Sequence, residues 1–269
     1  MAEKHAVWVY AVTSAGVSEL GTHLTDVTGL DCERVRIVDM AGLAAVVSSV
    51  DGVYATGDAL QRRLGDLKEL EAIALVHHGV VEQVATHHQV LPLRLATVYF
   101  DDDGVRDMLS DRHAEFAAAL GWLNQRTECG VKVWARAVSP PKRPVAVARE
   151  PGTRRQRSHE GTGTAYLLQR SASRKARDDH WQRGVTGGEK IHDALGALAV
   201  ASRRHATQDT RLDDKDGQMV LNGAYLIDAD RFAEFEAAAR AMADRMFRVD
   251  VTGPWPPYSF AGGAHVDQV

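Results

Sequence analysis

The order of predicted secondary-structure elements constrains this chain of 269 residues more strongly than any short motif does. Between residues 131 and 252, the spacing of apolar residues predicts a strand, a helix, two strands, a helix and a strand. This β-α-β-β-α-β order is the ferredoxin-like order. Residues 6–100 have the same order if residues 17–24 form a short helix. We therefore predict an α+β protein with long helices and two domains, residues 1–128 and a ferredoxin-like domain at residues 129–269.

Apolar runs and alternation predict the strands, and 3.6-residue spacing predicts the helices. The predicted strands cover residues 6–13, 34–39, 43–49, 90–100, 131–138, 207–213, 218–227 and 247–252. The predicted helices cover residues 64–88, 103–127, 163–183, 186–205 and 232–246. Three glycines, Gly184, Gly187 and Gly188, are expected to separate the third helix from the fourth, which would begin with the Thr186 and Glu189 capping box. We expect the helix at 103–127 to join the two domains.

Composition excludes several classes of protein. A net charge of −4 favours neither a nucleic-acid partner nor a membrane surface. Cys32 and Cys129 are not part of a Cys-x-x-Cys pair, so a zinc or redox motif is unsupported. No signal peptide is visible, and no apolar run approaches the roughly 18 residues that cross a bilayer. We therefore expect a cytoplasmic protein.

The motifs of common enzymes and cofactor sites are missing from the sequence. His77-His78 and His87-His88 invite a metal site, but an α-helix would place His77 and His88 about 16 Å apart along its axis. No phosphate-binding loop and no Gly-x-Ser-x-Gly elbow occurs. We predict no catalytic, cofactor-binding or metal-ligating residue and no cofactor. An enzyme with a pocket between the domains stays open as an alternative, and it would bring His77, Arg94 and carboxylates together.

A basic segment leaves a second alternative open. Residues 139–161 contain four prolines and are predicted to be a loop or a mobile segment. Residues 142–177 contain ten Lys or Arg and two Glu. Such a segment could bind nucleic acid or another acidic ligand, form a solvated surface, or dock an acidic protein.

Three sequence blocks together suggest a family. The first, Val90 to Tyr99, includes Pro92, Arg94 and Thr97; the second, Gly163 to Arg170, includes Gly163, Tyr166, Leu167 and Arg170; the third includes Gly253, Pro254, Trp255, Pro256, Pro257, Tyr258 and Phe260. In this order they resemble the gas vesicle protein F/L family. Leu95 and Ala96 replace the Phe and Gly that are usual in the family's first block.

The third block also predicts local structure. Its three prolines should end the last strand at Gly253, because proline lacks a backbone donor. The rings of Trp255, Tyr258 and Phe260 could then fold back as a rigid apolar clip over a core.

The resemblance implies a role in gas vesicles, the hollow protein shells that make prokaryotic cells buoyant. Family members are accessory or minor structural proteins without enzymatic activity. The resemblance implies contact with the main shell protein during assembly, and other accessory proteins are further possible partners. It also implies an N-terminal α+β domain and a ferredoxin-like C-terminal domain. An accessory protein could cover the apolar face of a free shell subunit by helix-in-groove packing or by strand addition.

Overall fold

The computed structural model describes residues 5–14, 16–55, 57–136, 160–207 and 217–262, and for residues 160–169 it describes the backbone alone. The strands are β1 His5–Thr13, β2 Arg36–Met40, β3 Leu43–Asp51, β4 Leu91–Pro92, β5 Val98–Tyr99, β6 Arg126–Ala135, β7 Ala201–Arg204, β8 Gln218–Asp228 and β9 Phe247–Trp255. The helices are α1 Val17–Leu24, α2 Gly57–Gly65, α3 Leu67–Ala85, α4 Asp102–Asp111, α5 His113–Leu123, α6 Glu160–Gly196 and α7 Phe232–Ala241. Most of the predicted loop at 139–161 lies outside the described residues.

Two antiparallel sheets share one topology. The strand order is β7-β8-β6-β9 in the C-terminal sheet and β2-β3-β1-β4 in the N-terminal sheet, where β5 also pairs with β1. In both sheets the first strand of the unit lies between the third and the fourth, as the ferredoxin-like order requires. The predicted α+β class is confirmed. The proposed division between residues 128 and 129 falls inside β6.

The strand β1 is buried along its length after His5 because helices cover both faces of its sheet. On one face, Trp8 and Tyr10 belong to a core that also contains residues of α1 and α3. On the other face, Val7 and Val9 belong to a core that contains residues of α4 and α5. A strand buried on both faces reads as a continuous apolar run, which is how it appears in the sequence.

The helices α4 and α5 connect the two halves through a shared core. Phe116 and Leu120 of α5 lie in the same buried cluster as Ala224 and Leu226 of β8. Phe260, beyond the last strand, completes that cluster. A further core on the other face of the C-terminal sheet packs against α6 and α7. Contact between the two halves is therefore apolar and continuous.

The prediction that glycines interrupt the long helix is wrong, because α6 runs unbroken through them. These glycines allow close packing on the sheet instead. A Cβ at Gly184 would lie 2.9 Å from Ala135 Cβ, and one at Gly188 would lie 2.9 Å from the carbonyl oxygen of Val220. A glycine can occupy an α-helix at a cost of about 1 kcal/mol relative to alanine, and close helix–sheet contact offsets that cost here.

Two strand predictions also need correction. The last strand does not stop at Gly253 but continues to Trp255. β9 is an edge strand, where proline is tolerated, and Trp255 still pairs with Glu128 after a register shift. The strand predicted at 90–100 is split into β4 and β5 by a turn, so Leu91, Leu93 and Leu95 do not share one continuous strand.

Three helix limits differ from the prediction. The side chain of Asp66 accepts hydrogen bonds from two backbone amides of the next turn, so it caps α3 and separates this helix from α2. The helix predicted at 103–127 is two helices, α4 and α5, meeting at Arg112. The helix predicted to reach His205 ends at Gly196, and β7 follows it. Apart from residue 207, the strand predicted at 207–213 lies outside the described residues. No helix within the described ranges is long and apolar enough to span a bilayer.

Candidate protein-binding surface

His77 joins the first and third blocks. Its Nδ1 accepts a hydrogen bond of 2.9 Å from Trp8 Nε1, so Nε2 carries the proton and donates to the carbonyl oxygen of Leu93 at 3.2 Å. The ring of Tyr258 lies 6.4 Å from the His77 ring. Burial lowers the pKa of His77 to about 4, so the imidazole is neutral. His77 is therefore a buried residue with two hydrogen-bond partners.

A turn follows the first part of that block. The amide and hydroxyl of Thr97 both donate to the carbonyl oxygen of Arg94, at 3.3 and 2.7 Å. Ala96 has a φ of 67°, in the left-handed region that favours glycine. Arg94 lies exposed on the turn, and Pro92 is buried in β4.

Hydrogen bonds from β6 hold the end of β9 and the residues after it in place. The hydroxyl of Thr127 donates to the carbonyl oxygen of Trp255 at 3.1 Å. The amide and hydroxyl of Ser259 donate to the carboxylate of Glu128 at 2.8 and 2.6 Å. Burial raises the pKa of Glu128, and the Ser259 bonds oppose that rise. We call residues 253–260 the tail.

The aromatic residues of the tail lie on both halves of the molecule. Phe260 is buried in the shared core. Tyr258 packs beside His78 with ring centres 5.9 Å apart, and Trp255 contacts the same imidazole at 5.5 Å. Pro256 and Pro257 are buried between them. The tail therefore clips α3 to the C-terminal sheet, and the predicted apolar clip is confirmed.

The second block does not lie beside His77 and the tail. The backbone of Gly163, Tyr166 and Leu167 lies in α6, and their side chains are outside the described residues. Arg170 is exposed on the same helix. The structure therefore joins the first and third blocks at His77 and leaves Arg170 apart from them.

An apolar exposed surface adjoins the clip. Leu75 is 66% exposed on α3, and Trp255 is 38% exposed on the tail. A Cβ at Gly79 would meet no atom within 4 Å, so this part of the helix is open. We call the surface formed by Leu75, His78, Gly79 and Trp255 the α3–tail face. It presents one exposed leucine about one helical turn from a glycine and from a histidine whose ring contacts Trp255.

A cleft of about 650 Å³ runs beneath the tail between the two halves. Its walls come from the end of α3, the start of β6, the start of α7 and the tail. Trp255 and Phe232 face it with His87 and His88. At its edge, His23 Nδ1 lies 2.9 Å from His88 Nε2, and the His23 and His87 rings stack at 4.2 Å.

Neither the cleft nor the clip has the arrangement of a catalytic site. His77 and Arg94 do not line the cleft, so the constellation that would support an enzyme is not formed. Ser259 Oγ lies 2.6 Å from Glu128 and 3.3 Å from His205 Nε2, but the Glu128 carboxylate accepts the hydrogen bond of the hydroxyl instead of orienting the imidazole. In the parts of the chain that the structure describes, no group of three or more His, Cys, Asp or Glu could hold a metal.

Comparison with known proteins identifies the family. The family model described as "Gas vesicle synthesis protein GvpL/GvpF" matches residues 6–262. The chain belongs to the GvpL/GvpF family. It is therefore a protein of gas vesicle formation, from a family that is not known to be enzymatic.

Relatives and solved structures agree with this membership. Gas vesicle protein L of Streptomyces sp. (strain CB03234) is 38% identical over 265 residues, which cover 97% of this chain and 94% of that protein. Gas vesicle protein L1 of Halobacterium salinarum is 25% identical and covers 94% of this chain and 89% of its own length. The crystal structure of GvpF from Anabaena sp. PCC7120 aligns with a TM-score of 0.62 at 17% identity, over 98% of this chain and 99% of that one. That match supports the fold.

Sequence reasoning missed the residues that anchor the tail. Glu128 and Ser259 are 131 positions apart, and nothing in their local sequence indicates a contact.

Proposed function

We propose that this member of the GvpL/GvpF family is a non-enzymatic assembly protein that binds the main gas vesicle shell protein through the α3–tail face. The observation that carries the proposal is the exposed Leu75 beside the open backbone at Gly79. A large apolar side chain exposed one helical turn from His78, whose ring contacts Trp255, is typical of a protein contact. Other gas vesicle accessory proteins are further candidate partners.

The geometry suits a partner helix. Leu75 and Gly79 are one helical turn apart, so a glycine gap lies beside a projecting leucine. A second helix can approach closely at such a gap and bury the leucine. His77 and Tyr258 lie beneath this face and fix the helix and the tail relative to each other. The surface would therefore need little rearrangement on binding.

Co-expression with the main shell protein, followed by affinity capture, tests the proposal. We expect Leu75→Glu to reduce captured shell protein about tenfold or more, because burying one leucine contributes about 1.5–3 kcal/mol. Leu67→Glu is the matched control, since Leu67 is 80% exposed on the same helix but outside the α3–tail face.

The possible results of this experiment test the proposed function and the proposed binding surface separately. Failure of the unaltered protein to capture shell protein would overturn the proposed function. Equal capture by the Leu75 and Leu67 variants would overturn the assignment to the α3–tail face. Salt-sensitive binding of generic DNA or RNA, without capture of shell protein, would favour the alternative function based on residues 142–177.

A further inference from the structure

The N-terminal half of α6 projects away from the body of the protein. Every residue from Arg170 to Asp179 is exposed, on all faces of the helix. The first contacts with the body come at His180, whose Nε2 lies 2.7 Å from the carbonyl oxygen of Arg136, and at Trp181. Ten residues at 1.5 Å each make this exposed stretch about 15 Å long.

The projecting helix has one strongly basic face. Arg170, Arg174 and Arg177 recur at the i, i+4 and i+7 positions and so share one side of the helix. Lys175 lies on an adjacent side. In the described ranges these arginines have no carboxylate partner. Four other arginines in or beside helices do pair with a carboxylate one turn away, in the pairs Arg106–Asp103, Arg112–Glu115, Arg231–Glu234 and Arg240–Glu236.

Physical chemistry favours an anionic partner for this face. A helix without packing contacts is only marginally stable in water. Like charges one turn apart destabilise it further, by about 0.2–0.5 kcal/mol a pair. A carboxylate-bearing surface laid against the three arginines would remove that repulsion and supply charge-assisted hydrogen bonds.

The rest of the chain supplies such a surface. Residues 142–177 carry a balance of +8, from ten basic and two acidic residues, and the chain has a net charge of −4, so the remaining residues carry −12. Exposed acids gather on the N-terminal half, where the amide of Asp51 donates to Asp31 and where Asp26 and Glu33 are also exposed. We propose that the Arg170, Arg174 and Arg177 face of one copy binds this acidic surface of a second copy of the chain.

Molar mass in solution, at about 50 mM and about 500 mM NaCl, tests the proposal, because salt screens exposed charges. We expect self-association at low salt and monomers at high salt. The triple variant Arg170→Glu, Arg174→Glu, Arg177→Glu should be monomeric at both. The matched control Arg62→Glu, Lys68→Glu, Arg245→Glu makes the same charge change on exposed residues elsewhere and should associate as before. Circular dichroism checks that each variant is folded.

Complementation identifies the acidic surface. Asp26→Lys with Glu33→Lys should also give monomers. An equimolar mixture of this variant with the Arg170, Arg174, Arg177 variant should associate again, because one copy keeps the basic face and the other keeps the acidic surface. Monomers of the unaltered protein at low salt, association that survives the triple change, or a mixture that stays monomeric would each overturn the proposal. Association with generic DNA in place of a second copy would also overturn it.

Discussion

One residue of the first block, Ala96, adopts a backbone conformation that is unfavourable for a residue with a side chain. Ala96 lies at a φ of 67°, where an L-residue is strained by about 1–2 kcal/mol. The turn persists because Thr97 donates twice to Arg94 and because β4 and β5 fix both ends. A glycine would adopt this conformation without strain.

Ala96→Gly should raise the free energy of unfolding by about 0.5–1 kcal/mol, because relief of strain exceeds the added entropy of the unfolded chain. Chemical denaturation measures the change. Ala72→Gly, on the exposed side of α3, should lower the free energy of unfolding by about 1 kcal/mol. A gain at Ala72 or a loss at Ala96 would contradict this account of the turn.

His77 predicts a pH dependence of stability. Its pKa is about 4 in the folded protein and about 6.5 when unfolded, so the unfolded state binds the proton more readily. The contribution of neutral His77 to the free energy of unfolding is complete above pH 6.5 and is lost as the pH falls towards 4. At pH 5 the loss is about 2 kcal/mol.

His77→Gln should keep both hydrogen bonds while removing this titration. Denaturation at pH 7 and pH 5 should then show a smaller loss of stability on acidification than in the unaltered protein. His88 and His192 also have lowered pKa values and remain in both proteins, so the difference isolates His77. Equal losses in the two proteins would show that His77 does not titrate between these pH values.

At the scale of elements, the order of strands and helices followed from apolar periodicity, but their ends did not. Periodicity reports which residues face a core, and it does so well for β1 and α7. Periodicity cannot explain why Gly184 and Gly188 lie within a helix, because these glycines allow close packing against strands that are far away in sequence. The turn at Ala96 was equally hidden, since alanine gives no signal of a left-handed conformation.

Gly188→Ala should destabilise the protein by about 1–3 kcal/mol, because the new methyl group would meet the backbone of Val220 and force α6 off the sheet. Gly79→Ala is the control on α3, where the space is open, and it should stabilise by up to about 1 kcal/mol. Thermal unfolding of both variants decides the matter. Similar behaviour of the two would mean that close packing is not the role of Gly188.

At the scale of the molecule, the two halves form one body because they share a core and a clip. The candidate surface was only partly predictable for the same reason. The three blocks include only one residue of the α3–tail face, Trp255, and the ring residues of the tail suggested a clip. The contacts of the tail rings with His77 and His78 depend on how the two halves pack together, and no local sequence pattern encodes that packing.

Phe260→Ala should therefore weaken both halves together. Truncating a buried phenylalanine costs about 3–5 kcal/mol, and here the cavity would open between α5 and β8. Hydrogen exchange should quicken in both elements. Ser110→Ala, on the exposed side of α4, should leave exchange unchanged. Faster exchange in β8 alone would show that the shared core does not couple the halves.

The position of Phe260 has a consequence for biosynthesis. An N-terminal half made first has its own strands, yet the apolar sides of α4 and α5 stay uncovered until β8 and the tail have been translated. A ribosome adds about 5–20 residues per second, so the more than 130 residues between α5 and Phe260 leave that surface open to wrong contacts for many seconds. Nascent chains of this protein are therefore expected to depend on chaperones until the tail emerges.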